Sequence, residues 1–112
     1  MSVPINTAQL QELKSFLGDD INDLLIDYLK DSQLQMKQIH AAYEQADLNL
    51  AANSVQSLKG ASANIGATEL EILCQKLHLE CKAGRLRASD VIIHALDEEL
   101  NRVNRFIRAE FL

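Results

Sequence analysis

The chain has 112 residues, of which 47% are apolar, and its 16 acidic against 11 basic side chains give a formal net charge of −5. This length is typical of one domain, which we assign to residues 1–112. No apolar run approaches the roughly 20 residues of a membrane-spanning helix, so a membrane protein is excluded. The acidic balance argues against a nucleic-acid partner, because binding to phosphates requires clustered Lys and Arg.

The first two predicted helices begin at residues that commonly cap helices. Asn6 and Thr7 can cap a short helix that ends near Leu17, because the following glycine suits a left-handed C-terminal position. Asp19 or Asp20 begins a long second helix, in which apolar residues recur every three or four positions from 21 to 43.

The third and fourth helices are separated by a glycine. Asp47 is predicted to cap the third helix, which continues to a stop at Gly66. Thr68 followed three residues later by Glu71 is the pattern of a capping box, which predicts the start of a fourth helix. This helix ends at Gly84.

Ser89 is predicted to cap the last helix, which has apolar residues at helical spacing from 92 to 107. No segment shows the sustained alternation of a strand. Short connections between long amphipathic helices imply antiparallel neighbours. The predicted fold is therefore all-α, an up-down antiparallel four-helix bundle with a short extra N-terminal helix.

The third helix has an unusual exposed face. At about 100° per residue, Leu58 centres the stripe that faces the core. The opposite side carries a polar residue among small ones, with a lysine at its edge: Gln56, Gly60, Ala63, Ala52 and Lys59. A glycine inside a helix costs about 1 kcal/mol relative to alanine. This pattern predicts either a surface that docks another protein or packing by a loop of the same chain.

The same helix resembles a known signature. Residues 57–67, Ser-Leu-Lys-Gly-Ala-Ser-Ala-Asn-Ile-Gly-Ala, resemble the conserved helix of histidine-containing phosphotransfer (HPt) domains, and residues 70–77 fit the segment that follows it. The resemblance implies an HPt-like bundle of bacterial two-component phosphorelays, monomeric and cytoplasmic, without a cofactor. The implied partner is the receiver domain of a response regulator or hybrid histidine kinase.

The phosphoacceptor histidine that defines this family is missing, because Gln56 occupies its position. An imidazole nitrogen has a free lone pair at neutral pH, whereas the amide nitrogen of glutamine does not. The resemblance implies that Lys59 places positive charge near the transferred group and that Gly60 keeps the approach open for the receiver. We therefore expect the docking surface to be present and the nucleophile to be absent.

Three explanations of Gln56 remain open. The favoured one is a natural degenerate HPt domain that binds a receiver without phosphate transfer. The second is a glutamine-substituted form of an active protein. The third is transfer through another residue, for which His78 on the adjacent helix is the candidate, although we expect His78 to be an ordinary boundary residue. A different class of function is a structural bundle that only tethers or oligomerises.

Cys74, His78 and Cys81 share a helical face, which raises the question of a metal site. A closed zinc site needs four ligands, and free cysteines often pack as small hydrophobic residues. The two cysteines lie seven residues apart on one helix, which is too far for a disulfide. We predict free thiols, no metal site and no independent enzymatic activity.

Overall fold

The computed structural model describes residues 3–112, and this part of the chain is helical without strands. The elements are, in order, α1 (Thr7–Leu17), α2 (Asp20–Gln45), α3 (Leu48–Asn64), α4 (Thr68–Lys82), a 3₁₀ turn (Leu86–Ala88) and α5 (Asp90–Glu110). Helix α2 packs against α3 and α5, and α4 packs against the same two helices, while α1 lies on α2. The predicted all-α bundle with an extra N-terminal helix is confirmed.

Aliphatic side chains from all five helices form one hydrophobic core. The fully buried large residues include Leu10, Leu25, Ile39, Leu58, Leu70, Leu96 and Ile107. On α3 the predicted inward stripe is buried at Val55, Leu58 and Ser62. The helical wheel of α3 is therefore correct, and it directs Gln56 away from the core.

Two predicted N-caps are confirmed by their hydrogen bonds. The Asn6 Oδ1 atom accepts from the Gln9 backbone N–H at 3.1 Å, and the Asp47 Oδ1 atom accepts from that of Leu50 at 3.0 Å. Each side chain satisfies a backbone donor that has no partner inside its helix.

The predicted capping box at the start of α4 is wrong. Ala67 occupies the N-cap position, and the Glu71 backbone N–H donates to the Ala67 carbonyl at 3.0 Å. Thr68 is already helical, and its hydroxyl donates to the Gly66 carbonyl at 3.4 Å. The reason is that the helix begins one residue earlier than the Thr-x-x-Glu pattern implies. Ser89 does precede α5, but its hydroxyl donates to the Arg85 carbonyl instead of capping the helix.

The N-terminal segment closes the turn between α3 and α4. Gly66 has a φ of +81°, and its carbonyl accepts from the Asn6 backbone N–H at 2.8 Å. The Gln9 side chain donates to the Ala63 carbonyl, also at 2.8 Å. These contacts add further donors to carbonyls of the last turn of α3 and of the turn that follows it, which already accept from the Gly66 and Thr68 backbone N–H groups. They also position α1 next to the exposed face of α3.

Candidate docking face on helix α3

The outer side of α3 is open to solvent around Gln56 and Gly60, which are exposed, while Lys59, Ala52 and Ala63 are half-buried. Within residues 3–112, the Gln56 side chain makes no hydrogen bond. A Cβ atom built on Gly60 would meet no atom within 4 Å. No loop among the described residues therefore packs on Gly60, which removes that explanation of the small-residue pattern.

Lys59 lies at the edge of this face, between α3 and α4. Its Nζ atom donates to the Gln75 Oε1 atom at 2.6 Å. The bond holds the lysine stem along the seam between the two helices and keeps a positive charge about one turn from Gln56. The predicted edge position of Lys59 is confirmed.

His78 lies on α4, where the charge of Lys59 acts on it across the same seam. Helices α3 and α4 are antiparallel, and the bond between Lys59 and Gln75 sets their register. His78 is three residues after Gln75 and Gln56 is three residues before Lys59, so the two positions come at the same level along the helix pair. The His78 side chain is 8% exposed, more buried than the boundary position that we expected.

The buried environment of His78 disfavours its charged form. Burial lowers the pKa of this imidazole from its usual 6.5, and the ammonium groups of Lys82 and Lys59 lower it further. The Nδ1 atom is enclosed and has no hydrogen-bond partner in the described part of the chain. This nitrogen is inaccessible to an incoming phosphoryl group.

Cys74 and Cys81 are buried core residues, as predicted. Burial raises the pKa of the Cys74 thiol to about 12, with Lys59 opposing and Glu71 adding to the increase. Burial likewise raises the pKa of Cys81. Protonated thiols are poor nucleophiles and poor metal ligands. Among residues 3–112, no group of three or more His, Cys, Asp or Glu side chains is placed to hold a metal ion.

A groove of about 100 Å³ runs between α2 and α3. It borders the exposed face of α3 on the side away from Lys59 and α4. It is lined by Leu24, Asp27, Tyr28, Asp31, Ala61, Asn64 and Ile65. The buried Tyr28 hydroxyl is hydrogen-bonded to the Ser62 Oγ atom at 2.9 Å, which ties the two helices together beneath the groove. Burial raises the pKa of Tyr28, so this hydroxyl stays protonated.

Residues 23–106, most of the chain, match the family model of the Hpt domain. The chain belongs to the Hpt domain family. Its members are phosphocarrier modules of phosphorelays, not enzymes in their own right. No curated protein matches this sequence.

Solved structures confirm the fold of this Hpt domain. The histidine-containing phosphotransfer protein B (HptB) from Pseudomonas aeruginosa PAO1 superposes with a TM-score of 0.93, at 24% identity, over 98% of this chain and 96% of that chain. The histidine-containing phosphotransfer protein ZmHP2 from maize has a TM-score of 0.82, at 17% identity, over 90% and 84% of the two chains. Identities this low establish the shared four-helix bundle alone. No helix between residues 3 and 112 of the Hpt domain has the length and apolar character needed to cross a membrane.

Two features beside the exposed face of the Hpt domain are not predicted by the sequence. One is the groove, whose α2 side is formed by Leu24, Asp27 and Asp31 at the helical spacing of three and four. The other is Phe16 on α1, which is 91% exposed and borders a hollow that reaches Asn64. The spacing on α2 is visible in the sequence, but nothing in it shows which neighbour that stripe borders.

Proposed function

We propose that this Hpt domain docks the receiver domain of a response regulator or hybrid histidine kinase and does not itself carry a phosphoryl group. The observation that supports the proposal is the exposed side chain of Gln56, without a hydrogen bond within residues 3–112, beside the open space over Gly60. In this proposal the docking face consists of Gln56, Lys59, Gly60, Ala63 and Ala52, with His78 beneath its edge.

The chemistry of the face suits recognition more than transfer. The lone pair of the Gln56 amide nitrogen is delocalised into the carbonyl, so this side chain forms hydrogen bonds but does not attack phosphorus. Lys59 contributes a point charge toward the phosphorylatable Asp of the receiver. The small side chains and Gly60 allow the receiver to approach the helix backbone closely, and apolar contact supplies affinity.

The proposal takes Gln56 as the natural residue of a degenerate Hpt domain of a bacterial cytoplasmic phosphorelay. The alternative, a glutamine-substituted form of an active domain, predicts a histidine codon at position 56 of the native gene. Sequencing the gene distinguishes the two, and the docking proposal holds for both.

The proposal is tested by phosphotransfer from receiver domains encoded in the same genome and charged with radiolabelled acetyl phosphate. We expect no acid-labile label on the parent chain and acid-labile label on Gln56→His, because that variant restores an exposed imidazole. His78→Ala should leave the parent unlabelled. Label on the parent that disappears in His78→Ala would instead identify His78 as the phosphoacceptor.

Binding of the same receivers, measured by calorimetry, tests the docking face directly. Lys59→Glu should weaken binding, whereas Lys37→Glu, the same charge change at an exposed position of α2 outside the groove, should not. Equal binding by the parent and by both variants would contradict docking through this face. If the parent chain binds none of the receivers, the result would favour the alternative of a structural bundle that only tethers or oligomerises.

A further inference from the structure

We propose that the groove between α2 and α3 receives a basic side chain, Lys or Arg, from the docked receiver domain. The inference rests on the proposed docking function and adds to it the chemistry that selects one receiver over another. Three observations support it: the shape of the groove, the unpaired carboxylates of Asp27 and Asp31 at its rim, and the position of the groove next to Gly60.

The floor of the groove suits the aliphatic part of a long side chain. Leu24, Ala61 and Ile65 supply apolar surface, and the Tyr28 hydroxyl beneath is already bonded to Ser62. These residues make the floor of the groove apolar, and Asn64 adds one exposed amide side chain to the lining besides Asp27 and Asp31. Lys and Arg commonly lay their methylene stems on such a surface and keep the charged end at its polar edge.

The rim of the groove carries uncompensated negative charge. Asp27 and Asp31 are exposed, and neither makes an ion pair or hydrogen bond within residues 3–112. They lie four residues apart on one helix, a spacing at which like charges repel. A cation between them would remove this repulsion and form charge-assisted hydrogen bonds. An apolar occupant would instead desolvate both carboxylates without compensation.

The groove is continuous with the exposed face of α3. The hydrogen bond between Tyr28 and Ser62 sets the register of the antiparallel helices α2 and α3. Asp31, three residues after Tyr28, therefore comes level with residues 59–60, beside the open position of Gly60.

The docking face and the groove beside it thus carry opposite charges on the two sides of α3. It is acidic on the α2 side at Asp27 and Asp31, and basic on the α4 side at Lys59. Complementary charge across an interface selects partners and fixes their orientation. A receiver that presents a basic side chain over α2 and its acidic phosphorylation site over Lys59 matches both signs.

The test compares two neutralised variants in binding to the receiver that binds the parent chain. Asp27→Asn/Asp31→Asn removes the rim charges, and Asp19→Asn/Asp23→Asn makes the same charge change at the same spacing on exposed positions outside the groove. We expect the rim variant to lose about tenfold in affinity and to bind with a weaker salt dependence, and the control to stay near the parent. Denaturant unfolding of both variants checks that the bundle is intact.

Gly60→Gln in the same assay separates this inference from the docking proposal. If Gly60→Gln abolishes binding and the rim variant binds like the parent or more tightly, the basic-side-chain inference is overturned and docking through α3 stands. If Gly60→Gln binds like the parent, the docking proposal fails and the inference fails with it. A charge-reversed rim, Asp27→Lys/Asp31→Lys, should be rescued by Lys→Glu or Arg→Glu at one position of the receiver. Absence of rescue at every exposed basic position would contradict the inference.

Discussion

At the residue scale, Gly60 is a mid-helix glycine whose presence the packing of residues 3–112 does not explain. A glycine in mid-helix reduces stability, and in many proteins such a residue makes room for a neighbouring element. Here a Cβ built at this position would meet no described atom within 4 Å outside its chain neighbours and the adjacent backbone of its own helix. The space that Gly60 leaves is available to a partner.

Gly60→Ala should therefore stabilise the protein while it leaves the fold unchanged. We expect the free energy of unfolding to rise by about 0.5–1 kcal/mol, because alanine has the higher helix propensity and its methyl group meets no obstacle. Urea unfolding monitored by circular dichroism measures this change. Gly60→Gln should be stabilised similarly but lose receiver binding, whereas Ala109→Gln, at an exposed position of α5, should keep it. A destabilised Gly60→Ala would show that the position is constrained within the chain.

At the scale of elements, the α3–α4 turn depends on a left-handed glycine and on the segment before α1. A Cβ atom on Gly66 would lie 3.2 Å from the Asn6 carbonyl oxygen and 3.3 Å from the Gln9 Cδ atom. Asn6 also bonds to the Gly66 carbonyl in the turn, and Gln9 bonds to the Ala63 carbonyl in the last turn of α3. The turn and α1 are thus packed as one unit.

Gly66→Ala should lower the free energy of unfolding by more than Gly84→Ala. Both glycines have positive φ, which costs an L-residue about 1–2 kcal/mol. Only Gly66 adds close contacts, since a Cβ on Gly84 would meet nothing within 4 Å. Parallel denaturant titrations of the two variants give the difference. Equal losses would mean that the N-terminal segment moves aside without cost.

At the scale of the whole molecule, the buried His78 links stability to pH. Its pKa is lower in the folded chain than the usual 6.5, so the unfolded chain binds more protons as the pH falls below 6.5. The stability contributed by the neutral imidazole is therefore fully present above pH 6.5 and is lost as the pH falls toward the folded-state pKa.

His78→Gln should reduce this loss of stability in mild acid. The free energy of unfolding of the parent should fall between about pH 7.5 and about pH 5.5, and that of the variant should fall less, because glutamine does not titrate. Urea unfolding at the two pH values tests the difference. Equal declines in both proteins would show that His78 is protonated in the folded chain as easily as in the unfolded one.

Much of this bundle could be predicted from the sequence because helix periodicity and N-caps are local properties. Asn6 and Asp47 were placed correctly, and the wheel centred on Leu58 identified Gln56 and Gly60 as exposed. Thr68 and Glu71 show the limit of such rules. Their spacing fits a capping box. The first hydrogen bond of α4, however, joins the Glu71 N–H to the Ala67 carbonyl, so the turn before Thr68 sets where the helix begins.

By itself, the sequence determined that this is an acidic all-α chain with a helix that resembles the HPt signature and carries Gln56 on its outer face. Only the tertiary structure decided that His78 is buried, that the segment before α1 closes the turn after α3, and that Asp27 and Asp31 border a groove. The physical reason is that periodicity defines which face of each helix is apolar. The register between two helices follows instead from packing and cross-helix bonds, such as those of Tyr28 with Ser62 and Lys59 with Gln75.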